Sequence, residues 1–558
     1  MVRRVFNFMY KEVRGLHQAA YILALFAIGS QILAVVRDRL LAHLFGAGSE
    51  LDLYYAAFRI PDLMYVLFAS VLSVYVLLPF VSRYTEEGGA KSGAAVISQI
   101  FSVFLILYSI IALVLALTAT LYVPLLFPGF VDKAALLATL IQILMFQAFL
   151  LGVSSLCGVV TQIGHRFVLY AISPLLYNLS IIFGVVVLYP FMGLSGLVSG
   201  VVIGAFLHLA IQLPLVLRSE YRFGITTSFD WILLRDIFAV SVPRALTLSV
   251  NQIVLLILTS IASTMAVGSV SVFQFAFNLQ SVPLAVIGMS YSVAAFPTLS
   301  TLLAKKKIHE FNNQLLTALR HIVFWAVPIS ALVVVLRAQI VRVLLGSGAF
   351  DWNDTRLTAA ALAVFVFSLL AQSILLLVIR AFYAGGHSMI PFVVSVSSSV
   401  VAVVLAFFFH TAYLANPMFK TFLEHMFRLE GVGGTEMLTL ILAFTIGQFL
   451  QMFLLLGLSV KVFGINYARL WRLIFEAVIA ALAGGFSAYA ALLFVVNGIN
   501  QETFIGIALQ GLIAGIMGLT AIILVYRVFK AQELFEIYRS FHSRIFKTDV
   551  IAPQPDTI

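Results

Sequence analysis

Polar residues are sparse along this chain, and their positions divide it into long apolar runs. A segment that crosses hydrocarbon needs about 20 mostly apolar residues. Fourteen runs meet that length, near residues 18–36, 60–82, 94–120, 136–160, 168–189, 194–217, 237–265, 272–302, 318–345, 358–382, 389–411, 437–460, 473–496 and 504–527. In lipid every backbone group must bond inside the protein, which leaves helices or a closed barrel. The ten-residue alternation of barrel strands does not occur, so the pattern predicts an all-α polytopic membrane protein of about 14 transmembrane helices. The runs at 94–120, 272–302 and 318–345 are long enough to tilt or to reach past the bilayer.

The segments between the runs suggest how the helices are grouped. Arg218–Asp236 is polar enough to join two halves, and its SFDWILLRD stretch suits a short amphipathic helix on the inner surface. Gly346–Asp354 reads as an exterior turn, and 412–436 as a longer exterior loop with helical spacing over Met418–Leu429. The stretch from Gln532 to Ile558 begins as an amphipathic helix and ends in a polar tail. AAFRIPDLMYVLF leading to LLPFVS at Leu77–Ser82, and FAFNLQSVPLAVIG leading to AAFPTLS at Ala294–Ser300, share an opening Ala-Phe, an internal proline and a closing Pro-x-x-Ser. Such weak similarity is how two repeated bundles look in sequence. The expected division is a six-helix bundle at 1–217, a cytoplasmic linker with its amphipathic helix at 218–236, a pseudo-symmetric six-helix bundle at 237–460, two further helices within 461–527, and a cytoplasmic tail at 528–558.

Composition supports the bilayer reading: the chain is 62% hydrophobic and 10% charged, against about 45–50% and 25% in soluble domains. The net charge of +10 raises nucleic acid as a partner, and the positions of the basic residues remove it. With the N-terminus inside, 23 of the 33 Lys and Arg residues fall in inner loops, six in outer loops and four in or beside spans. That bias is the positive-inside signature, so both termini are expected in the cytoplasm. No cleavable leader is expected. Cys157, alone in an apolar run, reads as a packing residue. The metalloprotease, phosphate-loop and nucleophile-elbow motifs are absent. The expectation is a transporter without enzymatic activity, cofactor or metal, driven by an ion gradient, the membrane potential or the substrate's own gradient.

Within this low charge, Arg37, Asp38, Arg39, Asp52, Arg59 and Asp62 crowd into 26 residues. Ionisable groups beside or inside hydrocarbon usually face a cavity or a partner. If the first helix continues to Asp38, then Ser30, Gln31, Arg37 and Asp38 recur at about two helical turns on one face. Arg37 then either offers its planar fork to a phosphate or anchors the helix end, paired with Asp38 or Asp52. Arg59 either faces the cavity or pairs with Asp52, and Asp62, just after Pro61, suits the start of a helix. Arg244 either faces the cavity or snorkels to the inner interface. His208 reads as a packed, satisfied histidine, and Glu476 lies in the trailing helix pair.

The stretch RDRLLAHLFGAGSELDLYYAAFRIPD at Arg37–Asp62 resembles the signature of the MurJ/MviN family. The likeness extends to SPLLYNLSIIFGVV (Ser173–Val186), IGAFLHLAIQLP (Ile203–Pro214), GSVSVFQFAFNLQSVPLAVIG (Gly268–Gly288), GAFDWNDTRLTAAAL (Gly348–Leu362) and RAFYAGGHSMIPF (Arg380–Phe392). The resemblance implies the fold of multidrug exporters: two six-helix bundles in a V, with two further helices forming a lipid-facing groove. It also implies a lipid II flippase of the bacterial plasma membrane, moving an undecaprenyl-pyrophosphate-linked precursor outward by alternating access. Arg37 matches the family's cavity arginine, and Asp38 and Asp52 match its acidic positions. Gln31 and Tyr65 stand where relatives carry arginines, and Asn278 and Ser281 replace an arginine and an acid before Pro283. An arginine's two-pronged grip on a phosphate is worth about 1.5–3 kcal/mol, and each such replacement forgoes it.

The candidate cavity set is therefore Ser30, Gln31, Arg37, Asp38, Asp52, Arg59, Arg244, Asn278 and Ser281. Its expected partners are an anionic lipid-linked substrate, the membrane lipids, and a coupling cation or the membrane potential. Two other readings stand beside the flippase. One is an ion-coupled exporter of small amphipathic compounds or of another polyprenyl-diphosphate glycan. The other is a non-transporting partner of wall-synthesis enzymes.

Overall fold

The computed structural model describes residues 16–164, 166–495, 503–536 and 539. The basic stretch Met1–Arg14 and the polar end of the tail lie outside them. The described residues are predominantly helical and contain no strand. Helix α1 (Leu16–Phe45) leads into α2 (Ser49–Ala57), α3 (Arg59–Val71) and α4 (Val74–Gly88). After these come α5 (Ala90–Leu117), α6 (Ala119–Leu126), α7 (Ala134–Ile163), α8 (Phe167–Phe183), α9 (Tyr189–Ala210) and α10 (Leu213–Arg218). Past the linker run α11 (Trp231–Ser263), α12 (Ser269–Leu284), α13 (Ser290–Ala304), α14 (Ile308–Leu344), α15 (Trp352–Ala384) and α16 (Met389–Ala415). A shorter α17 (Pro417–Phe427) precedes α18 (Leu438–Phe463), α19 (Leu470–Ala490) and α20 (Phe504–Val528).

Among the described residues, twelve stretches are long and apolar enough to cross a bilayer. One of them, Val168–Arg218, has 51 residues, more than twice what a single crossing needs. It turns back at Gly193 (φ 59°, ψ −145°), a conformation open to glycine and strained for other residues. The two arms then pack so closely that a Cβ on Gly200 would lie 2.5 Å from the Gly184 Cα. Small residues permit this approach between helices in lipid, where packing replaces the hydrophobic effect as the driving force. Counted as two passes, and with α1 ahead of it, this stretch brings the described crossings to the fourteen expected from the sequence.

Packing divides the chain into two compact units. The first comprises Met1–Ala276, Leu344–Ala361 and Ser388–Gly447. Some of its buried polar groups find partners inside it: Tyr108 donates to the Met145 carbonyl at 2.6 Å, and His208 Nδ1 meets Ser154 Oγ at 2.7 Å. His208 is thus the satisfied core histidine that the sequence suggested, and Cys157 is buried. The second unit comprises Phe277–Val343, Leu362–His387 and Gln448–Ile558. Within it α19 and α20 press together through Gly484 and Gly518, where an added Cβ would strike Ile522 or Leu332 at 2.4 Å. Leu336 of α14 packs with Ala491 and Ala514. Glu476 is paired locally, accepting from Arg472 Nε at 2.7 Å.

The linker differs from expectation. No separate amphipathic helix lies over SFDWILLRD; Trp231–Asp236 form the first turns of the 33-residue α11. The cause is local: the Asp230 carboxylate accepts from the Ile232 and Leu233 amides at 3.0 and 3.1 Å, so the helix is capped there. The residues ahead of it are strapped along α5. Gly224, Thr226 and Asp230 donate backbone N–H groups to Ser98 Oγ, Ser102 Oγ and Gln99 Oε1. The helix expected over Met418–Leu429 is present as α17, capped by Asn416.

The contact at Gly184 and Gly200 yields a stability prediction. Gly200→Val forces the α8–α9 pair apart and is expected to destabilise the protein by about 1–3 kcal/mol, the usual range for overpacking. A lower thermal unfolding midpoint of the purified protein in detergent would register it, and an unchanged midpoint would contradict the packing.

Candidate functional site

The site starts from an arginine that hydrocarbon forces to find partners. Arg37 lies eight residues before the end of α1, beyond the apolar stretch that begins the helix. Its Nε and Nη2 donate to Asp38 Oδ1 at 2.9 and 2.8 Å, and its Nη1 donates to Asn178 Oδ1 at 3.1 Å. Asn178, on α8, is fixed in turn: its Nδ2 donates to Ser30 Oγ at 3.1 Å and to the Pro174 carbonyl at 3.1 Å. Ser30 and Arg37, seven residues apart, thus meet the same amide, as two-turn spacing along one helical face requires. The Arg37 side chain retains 21% of its exposure, so it is neither buried away nor splayed into bulk. A guanidinium has five N–H donors, and these contacts leave one on each terminal nitrogen. The arrangement can therefore hold Arg37 in one orientation while presenting two parallel donors to an anion.

The other predicted residues have different settings. Asp52 is buried and joins α2 to the start of α12: its Oδ2 accepts from the Gly268 amide at 2.7 Å. Its Oδ1 accepts from the Ser271 amide and hydroxyl at 2.7 and 2.6 Å. A carboxylate at a helix N-terminus satisfies free N–H groups and complements the dipole. Gly268 adopts φ +91°, and a Cβ there would lie 2.1 Å from the Ala47 carbonyl oxygen, so the approach requires glycine. Arg59 is buried and donates from Nε to Thr259 Oγ1 at 2.8 Å and from Nη2 to Gln274 Oε1 at 2.7 Å. Two of its donors therefore go to neutral acceptors. Nearby, Ala349 donates its amide to the His43 carbonyl at 2.8 Å, and Ala47 donates to Asp354 Oδ2 at 3.0 Å. Residues 43–59 are thus stitched to 259–274 and to 349–354. Asp62 sits in the first turn of α3, as expected, but the chain enters that turn through the helical Phe58 and no side chain caps it.

Arg244 does not join this group. It is half-buried and lies 15 residues before Thr259 on the same helix, roughly 22 Å away at 1.5 Å per residue. One pyrophosphate cannot bridge Arg244 and the Arg59 contacts. Gln31 is exposed. Asn278 and Ser281, both half-buried, belong to the second unit, where Ser281 Oγ donates to the Asn278 carbonyl at 2.6 Å. Asn178 is the site residue that sequence reasoning does not single out. The signal for it is an amide standing alone in the apolar run SPLLYNLSIIFGVV.

Comparison with known proteins bears on this arrangement. The family model described as "Lipid II flippase MurJ" matches residues 41–509. The chain is 29% identical over 378 residues to a protein of Buchnera aphidicola subsp. Acyrthosiphon pisum named probable lipid II flippase MurJ, with 66% of this chain and 73% of that one covered. It is 24% identical over 385 residues to lipid II flippase MurJ of Burkholderia cenocepacia, with 67% and 75% covered. Among solved structures, lipid II flippase MurJ in an inward closed conformation aligns with a TM-score of 0.69 at 21% identity, over 91% of this chain and 99% of that one. An inward-facing multidrug transporter of the MATE family aligns at 0.62 and 14% identity, over 78% and 94%. The fold is accordingly MATE-like.

Asn178→Ala removes the hydrogen bond that orients Arg37. Bonds to charged groups are worth about 1.5–3 kcal/mol, so transport is expected to fall roughly tenfold or more at equal amounts of folded protein in the membrane. Transport at the unaltered rate would show that Asn178 does not position Arg37.

Proposed function

The chain belongs to the MurJ family, and we propose that it translocates lipid II, the undecaprenyl-pyrophosphate-linked peptidoglycan precursor, from the inner to the outer leaflet of the bacterial plasma membrane. It is a transporter rather than an enzyme. The observation that carries the reading is Arg37: a guanidinium about two turns before the end of α1, held by Asp38 and Asn178 with a donor remaining on each terminal nitrogen. A pyrophosphate cannot enter hydrocarbon unaided, because an isolated charge there is heavily disfavoured. Arg37 supplies the counter-charge, and Asp38 keeps the empty site neutral between cycles, since an unpaired buried cation is more costly than a paired one.

In this reading both termini are cytoplasmic, which the excess of Lys and Arg in the inner loops supports. The two six-helix bundles at 1–217 and 237–460, with the added pair within 461–527, alternate access to the headgroup. The stitches from residues 43–59 to 259–274 and 349–354 close the outer side and part when it opens. The membrane potential serves as the driving force: an anion leaving a negative interior gains about 2.3 kcal/mol per elementary charge per 100 mV. An additional coupling cation is not required by this arithmetic.

Expression of the chain in cells depleted of their own lipid II flippase tests the proposal. Rescue of growth, with lipid II becoming accessible at the outer leaflet, is expected for the native chain and not for Arg37→Ala at equal membrane abundance. Failure of the native chain to rescue, or full rescue by Arg37→Ala, would overturn the reading. Asp52→Ala is expected to weaken the outer closure by about 1–2 kcal/mol, the value of a helix cap. A cysteine-reactive probe at position 271 (Ser271→Cys) should then label faster from the outer side, and unchanged labelling would contradict the closing role.

A further inference from the structure

Helix α17 carries an apolar face that the protein covers only in part. Leu423 is buried on one side of it, and Phe419 is half-buried, its ring 6.3 Å from that of Phe409 on α16. Met418, Phe422 and Met426, at four-residue spacing, are 82%, 60% and 59% exposed. At 100° per residue these three span an arc of about 80° directly beside the covered side. Lys420 and Glu424 lie on the far side, 3.9 Å apart. The helix is therefore apolar over roughly half its circumference, yet it is too short to cross a bilayer at 11 residues.

What covers the open stripe follows from the element that α17 continues. Helix α16 is itself one of the membrane-crossing stretches, and its outward side, Val400, Val404, Phe407 and Phe408, is 51–61% exposed. In a membrane that surface faces lipid. Leu414, near its end, is 64% exposed, and a single capping residue, Asn416, separates α16 from α17. The start of α17 is thus held at the depth where the hydrocarbon ends. A short helix at that depth with one apolar stripe and a charged opposite side has the composition of an interfacial helix. Its other anchors tie it down in place: Arg356 donates to the Arg428 carbonyl, and Thr435 Oγ1 donates to Glu424 Oε1 at 3.3 Å.

We propose that α17 is a membrane-surface helix, with Met418, Phe422 and Met426 inserted at the boundary between lipid headgroups and acyl chains, so that its partner is the bilayer itself. The reading does not depend on which lipid-linked substrate is carried. It can be tested because the one native cysteine, Cys157, is buried. Phe422→Cys, Met418→Cys and Lys420→Cys proteins, each bearing a nitroxide label and reconstituted in phospholipid nanodiscs, report collisions with oxygen and with a water-soluble nickel chelate. Labels at 418 and 422 should favour oxygen and be shielded from nickel, and the label at 420 should show the reverse. As a milder variant, Phe422→Trp should lose most of its added emission when the lipids carry bromines on the upper acyl chain. Equal nickel access at 420 and 422, or unquenched emission, would overturn the proposal and leave the stripe to a protein partner.

Discussion

A charge held at bilayer depth must find its counterpart inside the protein, and the first unit is arranged around that constraint. The same short stretch of sequence satisfies it in three ways. Arg37 takes a carboxylate from its own helix and an amide from α8. Asp52 takes backbone and hydroxyl donors at the start of α12. Arg59 takes a hydroxyl and an amide, from Thr259 and Gln274. Of the three, Arg37 keeps both partial exposure and spare donors, so it is the one suited to an arriving anion. The other two hold segments of the unit together, and their contacts are of a kind that can break and reform as a transporter changes state.

Beside bulky packing such as Phe68 against Phe104 and Phe324 against Tyr526, the closest helix approaches are made by small residues. Gly184 against Gly200, and Gly484 against Gly518, bring backbones close enough for packing alone to hold them in lipid. Polar strapping does similar work at the surface, where Ser98, Gln99 and Ser102 of α5 receive the linker's amides.

Much of this is legible in the sequence, because hydropathy over twenty residues reports directly on what lipid permits. The helical crossings, the turn near Gly193, the satisfied His208 and the helix after Asn416 all follow from local pattern. The linker departs from its pattern because amphipathicity over SFDWILLRD does not reveal whether the helix stops; the Asp230 cap and an uninterrupted run to Ser263 decide that it continues. Asp38, beside Arg37, is a partner the local pattern offers, but the distant partners of Arg37 and Arg59 are not legible. They lie 141 and 200–215 residues away, and a single chain carries no record of which distant polar group meets which. Charge alone groups Arg244 with the cavity, whereas its place along α11 sets it roughly 22 Å from the Arg59 contact at Thr259.

The claim on which the account turns is that Arg37 grips a pyrophosphate. Its most direct test is the affinity of the purified protein in nanodiscs for lipid II, measured beside a neutral polyprenol of equal chain length, for the native chain and for Arg37→Ala. The account predicts that the native protein prefers the pyrophosphate lipid and that the substitution removes most of that preference, about tenfold or more for a charge-assisted pair. Equal binding of the two lipids by the native protein, or an unaltered preference in Arg37→Ala, would contradict it.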